Sequence, residues 1–128
     1  MSTLTFVAAI LPGREEEWRR FVQEVTEERL YEYEGLRRRL GLRSESVWLA
    51  RTKEGETAVV YLEAENPERI VPTLGASEEP FDLWFKERLL EFHGPDLARN
   101  PRKTAARLLF AYRGVPGDQP LVAREGMP

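Results

Sequence analysis

The chain has 128 residues, the length of one ordinary domain, with 41% apolar and 32% charged residues and a net charge of -3. That balance fits a folded soluble protein and gives no support to a polyanion-binding role. There is no cysteine, so disulfides, thiolate metal sites and cysteine nucleophiles are excluded, and no apolar run reaches the roughly 18 residues of a membrane span.

The N-terminus, MSTLTFVAAILPGREEEW, lacks a basic segment before its apolar part and turns at once to acidic residues, unlike a signal peptide. A cytoplasmic location is the expectation. The 16 arginines against 3 lysines, with two asparagines and two glutamines, fit a GC-rich genome as well as a heat-tolerant source.

In chain order, residues 3–11 (TLTFVAAIL) are too short and too apolar for a surface helix and stop at Pro12-Gly13, which predicts a buried strand. From Arg14 the period changes to three or four: Trp18, Phe21, Val22, Val25, Tyr33, Leu36 and Leu40 form one stripe. Glu15–Glu17 and Arg37–Arg39 complement the two ends of the helix dipole, and Gly41 supplies the stop. The spacing predicts a helix over about 14 to 40, with Gly35 as the place for a kink.

SESVWLAR and ETAVVYLEAE, separated by Lys53-Glu54-Gly55, predict a hairpin. Asn66-Pro67 opens a short helical segment to about Leu74. A second long helix follows Ser77 or Glu79, with Pro80 in its first turn, an apolar face of Phe81, Trp84, Phe85, Leu89 and Phe92, and a stop at Gly94-Pro95. RLLFAYR, residues 107–113, reads as a last strand, which makes 1–113 one domain and 114–128 a flexible or partner-contacting tail.

Strand, helix, strand, strand, helix, strand is the ferredoxin-like βαββαβ pattern, an α+β fold with a four-stranded antiparallel sheet and both helices on one face. Its first and third strands are apolar on both sides, as alternation of Phe6, Ala8 and Ile10 with Val7, Ala9 and Leu11 illustrates. Two helices cover one side only. A second copy of the chain is the simplest cover for the other, so a homodimer through the sheet face is expected.

FVAAILPGREEEWRRF, the hairpin, and PFDLWFKERLLEFHG together resemble the dimeric α+β-barrel superfamily, which includes antibiotic-biosynthesis monooxygenase-like proteins. Within it, a bacterial family without an assigned activity is similar in an RRRLG…VWL segment and a helix ending in His-Gly. The resemblance covers residues about 3 to 113. It implies two sheets packed about a two-fold axis and a small-molecule pocket between sheet and helices or inside the barrel. Members of the superfamily include cofactor-independent oxygenases of aromatic polyketides, haem-degrading enzymes, and proteins with no known activity. Haem-degrading relatives place a histidine on the second long helix and use a nearby tryptophan, parts that His93 and Trp84 would take. Their asparagine on the first strand is missing from TLTFVAAIL, which argues against haem.

His93 is the only histidine. It lies beside the stripe of Phe85 and Leu89, where it would line a pocket and act as a base, and equally in the last helical turn, where an imidazole caps carbonyls. Arg29 falls within the apolar stripe, so it either snorkels past Tyr33, pairs with an inward carboxylate such as Glu63, or is turned to solvent by a kink. Glu63 shares a strand side with Val59 and Tyr61; if that side is opposite the helices, Tyr61 and Glu63 would meet a dimer partner or a cavity mouth with Trp48 within reach on the neighbouring strand, and a buried Glu63 would suit a general base, the alternative being a glutamate that ends its strand in water. Trp84 is core by its spacing and also a wall on which a planar substrate would stack. Arg37, Arg38 and Arg39 spread over about 200° of a helix and read as a solvated end.

No metal-ligand spacing, nucleophile elbow or phosphate-binding glycine loop is present, and no cofactor is expected. The sequence predicts a homodimeric protein with a pocket for a small aromatic or anionic molecule, without assigning a reaction. The alternative is a cofactor-independent monooxygenase-like enzyme with His93 as base and Tyr61, Trp84 or Arg29 positioning substrate.

Overall fold

The computed structural model describes residues 2–95, 105–106, 109–111 and 121–122. The fold is α+β, built on three long antiparallel strands: β1 (Ser2–Ala9), β2 (Leu42–Thr52) and β3 (Gly55–Ala64), in the order β2-β3-β1. On the other edge of β1, the two-residue β4 (Ala105–Ala106) pairs with Thr5 and Phe6. The pairing with β1 thus falls just before the anticipated last strand, 107–113. Phe110–Ala111 (β5) pairs with Leu121–Val122 (β6) in a separate ribbon. Arg107, Leu108, Tyr112 and Arg113 of that anticipated strand, and most of the anticipated tail, lie outside the described residues.

The expected 14–40 helix is two helices, α1 (Glu15–Thr26) and α2 (Leu30–Leu40). Its break lies at Glu27–Arg29, not at Gly35. Thr26 turns its hydroxyl back onto the Val22 carbonyl at 2.8 Å, a competition that bends helices, and Glu27 leaves helical geometry at ψ -81°. The polar run Thr26–Arg29 has no apolar side chain for the core-facing position, and a straight helix would drive the Arg29 charge into the core. Gly35 has another role: a Cβ there would stand 3.1 Å from Arg39 Nη1, so its bare backbone seats that guanidinium. Gly41, at φ 68°, ends α2 in the left-handed conformation, its N–H bonded to the Arg37 and Arg38 carbonyls.

The hairpin between β2 and β3 closes at Thr52↔Gly55 around Lys53-Glu54. A single 3₁₀ turn, Pro67–Arg69, leads into α3 (Ile70–Ala76), and α4 (Pro80–His93) has proline in its first turn. The helices cover one face of the sheet. Leu36, Leu40, Ile70 and Phe81 pack on Val60 and Leu62 at one end; Trp18, Phe21, Val25 and Phe92 pack on Ile10 and Ala58 at the other. Each such side chain contributes roughly 1.5–3 kcal/mol by leaving water, which is why the stripe of period 3.6 and the alternation of period 2 meet here.

The opposite face has four rows set by register across β1, β3 and β2, of which Ala9, Thr57 and Ala50 form the one nearest the hairpin. Val7, Val59 and Trp48 form an apolar band; Thr5, Tyr61 and Ser46 the next row; Thr3, Glu63 and Ser44 the last. Nothing among the described residues seals the band: Val7 is 40% and Trp48 54% exposed. The face is thus apolar across one band and polar beside it, rather than apolar throughout.

Candidate functional site

The site residues anticipated from sequence fall into three groups. Trp48, Tyr61 and Glu63 are brought together on the helix-free face. Glu63 is half-buried and accepts the Ser44 hydroxyl at 3.1 Å. Burial and the neighbouring Glu63 carboxylate push the Tyr61 phenol up, so it stays a neutral donor.

Arg29 and Trp84 meet on the other side of the sheet. The helix break at Glu27–Arg29 swings the Arg29 guanidinium over the indole of Trp84, 4.2 Å from the ring centroid, and 4.9 Å from that of Phe81. Its charge is met by Glu32, whose two oxygens accept Nε at 3.0 Å and Nη2 at 2.8 Å. Glu63 is therefore not its partner; the Arg29 side chain stays a quarter exposed beside the ring. The Glu32 hydrogen bonds raise the Arg29 pKa and lower that of Glu32. Beside this stack a cleft of about 200 Å³ opens between α1 and α4, with Phe21, Trp84 and Phe92 at its base and Arg20, Arg88 and Glu24 among its rim groups. Arg88 gives Nη2 to Glu91 at 2.9 Å while its buried Nε has no partner among the described residues.

His93 belongs to neither group. Its Nδ1 lies 2.9 Å from the Ala9 carbonyl oxygen. A carbonyl only accepts, so Nδ1 carries the hydrogen and Nε2 is the free position. The ring thus bonds to the end of β1 instead of capping its own helix. Leu11 N–H adds a bond to the Phe92 carbonyl at 2.8 Å, and the two together lace the C-terminus of α4 to the end of β1. Burial lowers the His93 pKa and the Ala9 bond partly restores it. His93 lines neither this cleft nor the second one described below.

Two polar clusters had no part in the sequence reading. Asp82, in the first turn of α4, is fully buried; Arg39 grips both its oxygens, at 2.9 and 2.5 Å, and Ser77 Oγ donates at 2.6 Å. Burial would push this carboxyl up, but the Arg39 and Ser77 bonds and the charges of Arg39 and Lys86 outweigh it and hold the pKa below its ordinary value. The triple arginine is thus more than a solvated end: Arg39 holds Asp82, Arg37 donates to the Arg43 carbonyl at 2.7 Å, and Arg38 is exposed. An open cleft of about 880 Å³ adjoins this cluster, with Arg39, Arg69, Thr73, Ser77 and Glu79 among its walls. In the second cluster Tyr33 of α2 donates its phenol to Glu45 of β2. Burial pushes both groups up, Glu45 against the opposing pull of Tyr33 and Arg37. The only sequence signal for either cluster is a charged residue at a position that periodicity assigns to the interior: Asp82 next to Phe81, and Glu45 two residues before Val47.

Among the described residues there is no group of three or more metal-ligating side chains, and no helix is long and apolar enough to cross a membrane. Comparison with protein-family models, curated proteins and solved structures yields no match to this chain.

Proposed function

We propose that this chain is a ferredoxin-like protomer that pairs through its helix-free sheet face with a second copy, forming a dimeric α+β barrel that binds a small aromatic or anionic molecule. The observation that carries the reading is the band Val7–Val59–Trp48, apolar, open to water and in one register row. Neighbouring β1 and β3 supply the flat centre of the face, and the antiparallel pairing of Ala105–Ala106 with β1 is the neighbour relation a ferredoxin-like fourth strand requires. A dimer of ordinary size buries about 800 Å² per partner, an area for which one sheet face suffices.

Closed between two such faces, Tyr61, Glu63, Ser44 and Ser46 provide the few polar groups that orient a ligand against an apolar wall. An aromatic ligand with a hydroxyl or amine suits this face, because Glu63 repels an acid. The cytoplasm is the location consistent with this reading.

Sedimentation equilibrium at micromolar concentration tests the dimer, with Trp48→Lys and Val7→Lys as variants on an exposed band that leave the core intact. The wild type is expected as a dimer or a higher even assembly, with each variant reduced by half or more in mass. A monomeric wild type, or a dimer indifferent to Val7→Lys, overturns the face-to-face reading. Thermal-shift titration with phenols and benzoic acids tests the ligand class, and no shift from either class overturns that part.

A further inference from the structure

We infer that the free edge of β2 is a second, self-complementary interface, at which two copies of the chain join their sheets by antiparallel β2–β2 pairing. The central residues of this edge strand are Val47, Trp48 and Leu49, all apolar, and they alternate between faces. Trp48 belongs to the helix-free face. Val47 and Leu49 share rows with Val60 and Ala58 on the helix side, yet they are 42% and 37% exposed, whereas α2 reaches β2 at Glu45 through Tyr33. A dimer through the helix-free face covers Trp48 and leaves Val47 and Leu49 in water. Only a neighbour alongside the strand shields all three.

Backbone geometry specifies how that neighbour must lie. Ile10 N–H bonds to the Glu56 carbonyl, so the even-numbered residues of β3 bond toward β1 and Gly55, Thr57, Val59 and Tyr61 bond toward β2. Their partners Thr52, Ala50, Trp48 and Ser46 spend their backbone groups inward. The N–H and C=O of Glu45, Val47, Leu49 and Arg51 therefore point outward. Nothing among the described residues pairs with them, since β2 ends the sheet.

An antiparallel copy must place outward residues opposite outward residues. Centring the two-fold on Trp48 does so, pairing Val47 with Leu49 of the second copy and Glu45 with its Arg51, while Trp48 meets Trp48 and Ser44 meets Thr52. Shifting the register by two residues one way sets Arg43 against Arg51, a like-charge pair. Shifting it the other way sets Val47 against Arg51. The centred register alone sets Val47 against Leu49 without placing Arg51 opposite an arginine or an apolar residue; the side chains of Glu45 and Arg51 stay with Tyr33 and Glu56 of their own chain. The devices that blunt this edge, the irregularity at Leu42/Ser44 and the charged Arg43, Glu45 and Arg51, flank the centre and leave Val47–Leu49 itself without a charge, proline or bulge. The occupant is thus a second β2, and with the proposed face-to-face pairing the assembly would be a dimer of dimers with D2 symmetry.

Native mass spectrometry and sedimentation equilibrium separate the two interfaces. The double variant Val47→Lys/Leu49→Lys changes exposed side chains only and is expected to halve the wild-type mass, whereas Val7→Lys leaves edge-paired dimers. If the face reading fails and the edge stands, the wild type is a dimer that Val7→Lys does not alter and Val47→Lys/Leu49→Lys dissociates. Leu49→Pro removes one outward N–H without touching the β3 ladder and is expected to dissociate the edge as well. A wild type that is monomeric, or whose mass is unchanged in the double variant, overturns the proposal.

Discussion

Arg39 and Asp82 make an ion pair whose two halves are unequally placed, and removing each should cost a different amount. Asp82 is fully buried, while the Arg39 side chain is 36% exposed. In Asp82→Ala the guanidinium swings into water and Ser77 finds another partner, so the loss is that of charge-assisted hydrogen bonds, about 2 kcal/mol. Arg39→Ala strands the carboxylate with Ser77 as its remaining direct donor, and breaking a buried pair in this sense costs about 3–4 kcal/mol. At roughly 3–4 °C per kcal/mol for a chain of this length, the melting temperature should fall by about 7 °C in Asp82→Ala and about 12 °C in Arg39→Ala. Circular-dichroism melts at pH 7, checked by urea unfolding, measure both. The pH dependence follows from the lowered Asp82 pKa: its contribution is present above the ordinary value of 3.8 and is lost as pH falls through the folded-state value. Without Arg39 the carboxyl takes up its proton at higher pH, so the deficit of Arg39→Ala narrows on acidification. Equal losses, or a larger one for Asp82→Ala, would refute the assignment of Asp82 as the buried member that Arg39 keeps charged.

Gly35→Ala should gain about 1 kcal/mol from helix propensity, but a methyl 3.1 Å from Arg39 Nη1 pushes the guanidinium off Asp82. The expected net change by urea unfolding is near zero in the wild type, with the gain recovered in an Asp82→Ala background; a full gain in both backgrounds refutes the seat. His93 has its pKa lowered by burial, so below about 6.5 the unfolded chain binds the proton more readily and stability falls as pH falls. Melts between about pH 7.5 and 5.5 should show this loss and lack it in His93→Gln; a slope that survives the substitution assigns it elsewhere.

Much of this architecture is a matter of local pattern. The alternation in TLTFVAAIL and ETAVVYLEAE, the turn at Lys53-Glu54, the proline opening α4 and the glycines at 41 and 94 mark strand, hairpin and helix ends, because backbone sterics and side-chain period act over a few residues. The break at Glu27–Arg29 was not legible, because Trp18 to Leu40 keeps one phase on both sides of it. Where Arg29 goes depends on Trp84, Phe81 and Glu32, two of them more than fifty residues away. The same holds for His93. Its position before Gly94 marks a helix end, but the acceptor of its proton is Ala9 on another element, which no spacing along α4 encodes. Of the alternatives open to Arg29, pairing with Glu63 is ruled out for a related reason, since the strand side holding Glu63 and the helix holding Arg29 lie on opposite faces of the sheet.

The sequence by itself determined the α+β class, the first strand, the hairpin, the limits of the last long helix and the apolar helix faces, since each follows from interactions within about one turn or one pleat. Tertiary structure alone decided which charges are buried and by whom they are answered, as with Asp82 and Arg39 or Tyr33 and Glu45. It decided also that α2 meets β2 at Glu45 but not at Val47 and Leu49, leaving these two exposed on a side that alternation would have called core. Burial is a property of what another segment covers, and the chain carries that information only once it is folded.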